Sequence, residues 1–173
     1  RPAVRLLAAK IFWDRADFSA GALSPEAILI LMNGPLTGIK LSGVSRMNAT
    51  ARSPLTGVLA ESSCGGYFPP ALRQAGYDGL IISGRAAGTS LLLIENGNVI
   101  IKDAKSLWGK GILECTENLQ KTYGKKSTAL VIGPAGENMI PFACILNEAH
   151  HAFGRCGMGA VMGSKNLKAI VVK

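Results

Sequence analysis

The sequence predicts an α+β fold in a single domain, with two mixed or antiparallel β-sheets and a few short helices. Short apolar runs rich in Ile, Leu and Val are each bounded by Gly, Pro or Asn, which is the punctuation of strands. Two of these runs flank Asn96-Gly97, a hairpin signal, because a two-residue type I′ turn requires positive φ at both central positions. Two other segments carry the start and stop chemistry of helices.

Taken in order, residues 27–32 form a buried strand that enters a turn at Asn33-Gly34-Pro35. Residues 44–51 are a weaker strand ended by Ser53-Pro54. Residues 68–75 open with Pro69-Pro70 and stop at Gly76, as a short helix does when Pro sits in its first turn and Gly just past its end. Residues 79–83 are a strand, and Ser90–Glu95 with 99–102 make the hairpin. Ile112–Tyr123 has the length and Glu/Leu/Lys content of a surface helix closed by Gly124. Residues 128–132 are a strand turning at Gly133-Pro134, and 168–173 a last apolar strand. Residues 142–153 read either as helix or as a strand leading into one, and periodicity does not decide.

With 173 residues, 48% hydrophobic and 17% charged, the chain is long enough to bury a core and too apolar for disorder. No apolar stretch approaches the roughly 20 residues that span a bilayer. The N-terminal segment up to Lys10 is too short and too charged for a signal peptide. The lack of an initiator Met and the open apolar strand at the C-terminus lead to the expectation of a piece cut from a longer protein. The net charge of +8 is spread along the chain, with Lys125-Lys126 the one adjacent pair, and aromatics are only 6%. Such a surface lacks stacking platforms for nucleic acid, while suiting phosphate groups on a small ligand.

Glycine is the other signal: 21 residues, concentrated in three turns. They are GPLTG at 34–38, SPLTG at 53–57 followed by ESSCGGYF to Phe68, and HHAFGRCGMGAVMGSKN from His150 to Asn166. Without a Cβ, glycine lets main-chain N–H and C=O groups approach a ligand closely; equally, it serves tight turns between strands. Cys64, Cys115, Cys144 and Cys156 have no CxxC pair and no His at metal spacing, so they read as reduced thiols of a cytoplasmic protein. Cys115 and Cys144 lie in apolar runs and are expected in the core; Cys64 and Cys156 lie in glycine turns and are expected to face a ligand. Gly157, Gly159 and Gly163 lack the preceding strand and following acid of a dinucleotide loop. Gly163-Ser164-Lys165 inverts the order of a phosphate-binding P-loop. The two histidines, His150 and His151, are adjacent and support no Ser/His/Asp set, and no catalytic residue is assigned.

The phrases GPLTG, SPLTG, GGYFPPALRQAGYDGLIISGRA, KSLWGKG, IGPAGEN and GMGAVMGSKNLKAI, in that order from about Leu7 to Lys173, resemble the N-terminal domain of the tungsten-containing aldehyde ferredoxin oxidoreductase family. The family's usual first strands, before the part similar to 8–13, are absent. The resemblance implies a base domain beneath a tungsten (or molybdenum) bis-pterin cofactor with a bridging Mg²⁺. It implies an enzyme that oxidises aldehydes to carboxylic acids and passes electrons through a [4Fe-4S] cluster to ferredoxin. The cluster ligands and acid–base residues would lie in later domains, so this segment alone would be inactive. By the same resemblance, Arg46, Ser63, Cys64, Gly65, His151, Ala152, Gly154 and Arg155 would contact the pterin phosphates, with the carbonyls of Ser63 and Ala152 on Mg²⁺. Two positions depart from the family. Ser63 stands where Asn is usual, and His151 where Arg is usual, exchanging a permanent cation for a group that ordinarily titrates near pH 6.5. Arg155 is positioned in sequence to compensate. The alternatives are a non-catalytic binding or assembly module derived from the same domain, or part of a relative that reduces benzoyl-CoA.

Overall fold

The computed structural model describes residues 2–173; Arg1, the basic start of the N-terminal segment, lies outside the described residues. Helix α1 (Pro2–Arg15) opens the chain. Strands β1 (Leu29–Asn33), β2 (Met47–Arg52) and β3 (Leu59–Cys64) follow, then α2 (Phe68–Gln74) and β4 (Gly79–Ile82). These four strands form one antiparallel sheet, ordered β3-β2-β1-β4. The second sheet is mixed, ordered β6-β5-β10-β7-β8-β9. Its strands are β5 (Ser90–Glu95), β6 (Asn98–Asp103), β7 (Thr128–Val131), β8 (Ile145–Asn147), β9 (His151–Phe153) and β10 (Leu167–Val172). Helices α3 (Ile112–Tyr123), α4 (Pro134–Glu137) and α5 (Met158–Gly163) complete the α+β domain.

The apolar runs are nearly continuous because their strands are covered on both faces. In β1, Leu29 and Leu31 enter the central core while Ile30 and Met32, with Ile28 just before the strand, meet Val4, Ala8 and Phe12 of α1. In β10, Ile170 and Val172 face that same central core, and Ala169 and Val171 face Cys115 and Leu119 of α3. Alternate side chains of a strand point to opposite faces, so each run supplies two layers. The stacking is therefore α1, antiparallel sheet, α2 with α5, mixed sheet, α3. Phe68 and Leu72 of α2 and Met158, Val161 and Met162 of α5 fill the space between the sheets. Each fully buried side chain of this kind contributes about 1.5–3 kcal/mol relative to exposure. No helix among the described residues is long and apolar enough to cross a membrane.

The hairpin forms as expected: Asn96 and Gly97 both take positive φ, and Glu95 pairs with Asn98. The N-terminal segment, which its charge excludes as a targeting signal, is a helix; Val4, Ala8 and Phe12 recur at one-turn spacing on its buried face. Residues 142–153 are neither helix nor strand-into-helix but the short hairpin β8–β9, with Asn147 opposite His151. Its turn places Glu148 and Ala149, rather than Asn-Gly, at positive φ of 52° and 61°. Cys115 is buried as expected, and burial pushes its thiol up to about 11. Cys144 is only half-buried, its Sγ 3.7 Å from the Phe142 carbonyl at the surface, which corrects its assignment to the core.

A buried ion pair closes the far side of the mixed sheet. Lys168 of β10 and Glu137 of α4 pair with side chains 0% and 4% exposed. Lys168 Nζ also donates to the Lys110 carbonyl at 2.8 Å, and Glu137 accepts the Gly109 N–H at 2.8 Å. Three phrases that carry the family resemblance, KSLWGKG, IGPAGEN and GSKNLKAI, thus meet at one structural knot.

Candidate functional site

The sheets meet edge against edge where β3 packs on β9, and most of the sequence-predicted site residues lie at this seam. The chain leaves β3 at Cys64 and turns through Gly65 and Gly66 into Tyr67, which precedes α2. Gly66 has φ +94°, a conformation side-chain-bearing residues rarely adopt. A Cβ there would also collide with Asn147 Nδ2, with His151 Cδ2 at 2.8 Å and with Glu148 Oε2 at 2.9 Å. Gly65 is different. A Cβ there would meet only ordinary van der Waals contacts, Ser45 O at 3.4 Å and Arg46 Cδ and Nη1 at 4.0 Å.

Arg46 is exposed and makes no salt bridge among the described residues. Other arginines are engaged. Arg52 donates to the carbonyls of Gly57, Phe18 and Ala20, Arg73 pairs with Asp78, and Arg85 donates to Ser164 O and Leu23 O. Beside Arg46 a cleft of about 210 Å³ is lined by Arg5 of α1, Gly34, Asn48 and Ser63. Arg5 lies 3.3 Å from Glu61, and Ser63 Oγ donates to Asn48 Oδ1 at 3.1 Å. A second cleft, of about 380 Å³, is lined by Lys40, Ser45, Gly66, Tyr67, Gln74 and His151.

The structure thus brings Arg46, Ser63, Gly65 and His151 around one corner. Ala152, Gly154 and Arg155 are exposed on β9 and just after it, and they line neither cleft. The Cys64 thiol does not face a ligand. Its side chain is 2% exposed within the central core, so only its main chain is at the corner. Burial pushes this thiol up to about 12, against the opposing pull of the Arg46 charge. Cys156 is half-buried at φ +69°, with Sγ 3.5 Å from the Glu61 carbonyl, so it joins the loop after β9 to β3.

Sequence reasoning missed the residues that build the corner. Asn147 Nδ2 donates to Gly65 O at 2.7 Å, Ser45 Oγ donates to Gly66 O at 2.6 Å, and Tyr67 N–H donates to both Glu148 carboxylate oxygens at 3.0 and 3.1 Å. The Gly65 and Gly66 N–H groups have no acceptor among the described residues. Arg5 was missed with its helix. The one available signal was Asn147-Glu148 just ahead of the His-rich glycine turn.

The C-terminal glycines do something else. A Cβ at Gly157, Gly159 or Gly163 would run into the main-chain oxygens of Pro141, Cys144 and Gly136 respectively. Helix α5 is entirely buried. These glycines permit backbone-to-backbone packing of α5 on α4 and the 141–144 segment, and they present nothing to a ligand.

Against known proteins, the model of the family described as "Aldehyde ferredoxin oxidoreductase, N-terminal domain" matches residues 3–173. The chain is 42% identical over 170 residues to a tungsten-containing aldehyde ferredoxin oxidoreductase of Pyrococcus furiosus, covering 98% of this chain and 28% of that protein. It is 48% identical over 158 residues to that of Pyrococcus abyssi, covering 91% and 26%. Among solved structures it is similar to the active-site complex of benzoyl-coenzyme A reductase bound to 1,5-dienoyl-CoA. That match has a TM-score of 0.93 at 39% identity and covers 96% of this chain and 26% of that one. The chain therefore spans little more than a quarter of the length of these relatives.

Proposed function

The chain belongs to the aldehyde ferredoxin oxidoreductase family, matching its N-terminal domain, and we propose that it is the cofactor-binding base of a tungsten, or molybdenum, bis-pterin oxidoreductase. In this reading the complete cytoplasmic protein oxidises aldehydes to carboxylic acids with ferredoxin as acceptor, through a [4Fe-4S] cluster held by its other domains. The observation that carries it is the Arg46–Gly65 corner at the seam of the two sheets. An exposed guanidinium without a salt bridge among the described residues stands 4.0 Å from the Cβ position of Gly65, a turn residue whose N–H has no acceptor among the described residues.

The donor set fits the anionic part of such a cofactor. Arg46 would give a bidentate, charge-assisted contact to a pterin phosphate. The free Gly65 and Gly66 N–H groups would add main-chain donors on the same ligand. Among the described residues no three His, Cys, Asp or Glu side chains gather as a metal site. Mg²⁺, which prefers oxygen ligands, would be held by the carbonyls of Ser63 and Ala152. His151 would complete the corner in place of the family's Arg, with Gly154 allowing close approach and Arg155 supplying the permanent charge. When bound, the metal–pterin group supplies the redox chemistry; these residues hold it and neutralise its charge.

Element analysis and pterin extraction on the full-length protein from its native host test the reading. Stoichiometric tungsten or molybdenum with pterin and Mg²⁺ is expected, together with aldehyde-dependent reduction of a viologen dye or ferredoxin. The 1–173 segment alone should show no turnover. A full-length protein without pterin would refute the proposal. A second reading, a subunit of a ring-reducing enzyme, rests on the 39% identity to the benzoyl-coenzyme A reductase complex; reduction of an aromatic acyl-CoA with no aldehyde oxidation would select it.

A further inference from the structure

A carboxylate stands where it should harm the proposed ligand. Glu148 Oε2 lies within 2.9 Å of the Cβ position at Gly66, at the corner proposed to receive phosphate. A negative charge that close opposes anion binding by Coulomb repulsion. The backbone there is also unfavourable, since Glu148 and its neighbour Ala149 hold φ of 52° and 61° without being glycine. Two adverse features at one residue need an offsetting role, and the hydrogen bonds supply it.

Both carboxylate oxygens accept the Tyr67 N–H, at 3.0 and 3.1 Å, and Oε1 also accepts the Thr128 hydroxyl at 2.6 Å. The preceding residue, Asn147, is fully buried and donates to Gly65 O at 2.7 Å. Asn147 and Glu148 therefore grip the chain on either side of Gly66, while Ser45 Oγ holds Gly66 O at 2.6 Å. Thr128 belongs to β7, so the grip ties the corner of one sheet to two strands of the other. With Gly65 O, Gly66 O and Tyr67 N all engaged by protein, only the Gly65 and Gly66 N–H groups remain for a ligand, among the described residues.

We propose that Glu148 is a positioning residue, part of an Asn147–Glu148 clamp that fixes the Gly65–Tyr67 corner against the β8–β9 hairpin. The clamp sets the spacing between the donors of the corner and the His151–Ala152 strand that would share the phosphate and Mg²⁺ load. This inference rests on the cofactor reading above. Because the carboxylate is itself repulsive to phosphate, the clamp and a mere neighbouring charge predict opposite signs.

The test uses full-length protein stripped of cofactor, with inorganic pyrophosphate and Mg²⁺ as the calorimetric probe, below the thermal midpoint of every variant. Glu148→Leu removes the acceptors of the Tyr67 N–H and the Thr128 hydroxyl along with the charge. It is expected to weaken pyrophosphate binding at least tenfold and to lower pterin content in the holoenzyme. Glu148→Asp, which keeps the charge, should recover part of the loss. Should Glu148→Leu fail to fold, Thr128→Val removes one bond without touching the charge and should weaken binding in the same direction. Unchanged or tighter binding by these variants, with the wild type binding normally, overturns the clamp and leaves the cofactor reading standing. A wild type that carries no pterin and binds no pyrophosphate defeats the cofactor reading and the clamp with it.

Discussion

Gly65 and Gly66 stand at an edge where two sheets meet, whereas Gly157, Gly159 and Gly163 stand at the centre of the molecule, and the two groups are hard to tell apart in the sequence. At the corner, the Cβ side of Gly65 is in ordinary contact with Ser45 O and the exposed Arg46. In α5, the same absence of Cβ lets one backbone lie against another, as when the Gly159 N–H donates to Ala143 O at 2.9 Å. The contrast separates two uses of one residue: a turn that leaves main-chain N–H groups unpaired among the described residues, and space consumed by packing. It also divides the phrases that identify the family, because those around Gly157–Lys168 secure the fold while GGYF shapes the candidate site.

The largest expected effect lies in the packing region. Lys168→Met leaves Glu137 charged and buried, and breaking such a pair from one side costs about 3–5 kcal/mol. Hydrogen exchange at β10 amides in the full-length protein should report that loss. The double variant Lys168→Met, Glu137→Leu should recover most of it, since an apolar pair has no desolvated charge. Recovery absent, the pair would hold the fold through more than its own charge balance.

Substituting the two kinds of glycine tests the comparison directly. A methyl at Gly163 would overlap the Gly136 carbonyl, and overpacking of this kind costs about 1–3 kcal/mol. Gly163→Ala should therefore lose stability by hydrogen exchange. Gly65→Ala should lose none, because its nearest neighbour would be Ser45 O at 3.4 Å and its φ is not positive. It should instead lower pterin content in the full-length protein. Equal stability losses in the two variants would erase the distinction.

Most of the fold was legible because Gly, Pro and Asn punctuate it: Asn96-Gly97, Pro69-Pro70, Gly76 and Gly124 all sit where their backbone chemistry requires. What escaped was written in other terms. Strand β3 reads Leu-Ala-Glu-Ser-Ser-Cys, a polar edge strand with little alternation to reveal it. The β8–β9 turn uses Glu-Ala, which propensity does not mark as a turn, because long-range bonds from Glu148 hold it. The corner's glycines were visible, but the side chains that shape it were not. Asn147 reaches Gly65 across 82 residues of chain, and nothing local announces such a contact.

Thiol chemistry separates the regions further. Cys64, buried and pushed up to about 12, should resist alkylation at pH 8, although it belongs to the candidate corner. The half-buried Cys144 and Cys156 should react first. Peptide mapping after brief iodoacetamide treatment of native full-length protein reads the order. Early modification of Cys64 would mean that the corner opens to solvent.

A pH-dependent effect concerns Lys165, next to the packed glycines. Its Nζ is buried and donates to the carbonyls of Ser24, Pro25 and Ala27 at 2.8, 3.0 and 2.5 Å. Burial, and then the nearby Arg85 charge, push its pKa down from 10.5 to about 8. The three carbonyls oppose that shift, because an ammonium serves all three and a neutral amine only two. If burial prevails, folding carries a constant penalty below about pH 8. Between about 8 and 10.5 the unfolded chain keeps a proton that the folded one has lost, so stability rises with pH, and above that window the two states match. Hydrogen-exchange stabilities of wild type and Lys165→Met at pH 8 and 10 isolate the term. The wild type should gain stability relative to the variant. No relative gain would show that the carbonyl cage keeps the ammonium charged, and that this end of α5 is held by a buried cation as firmly as β10 is held by an ion pair.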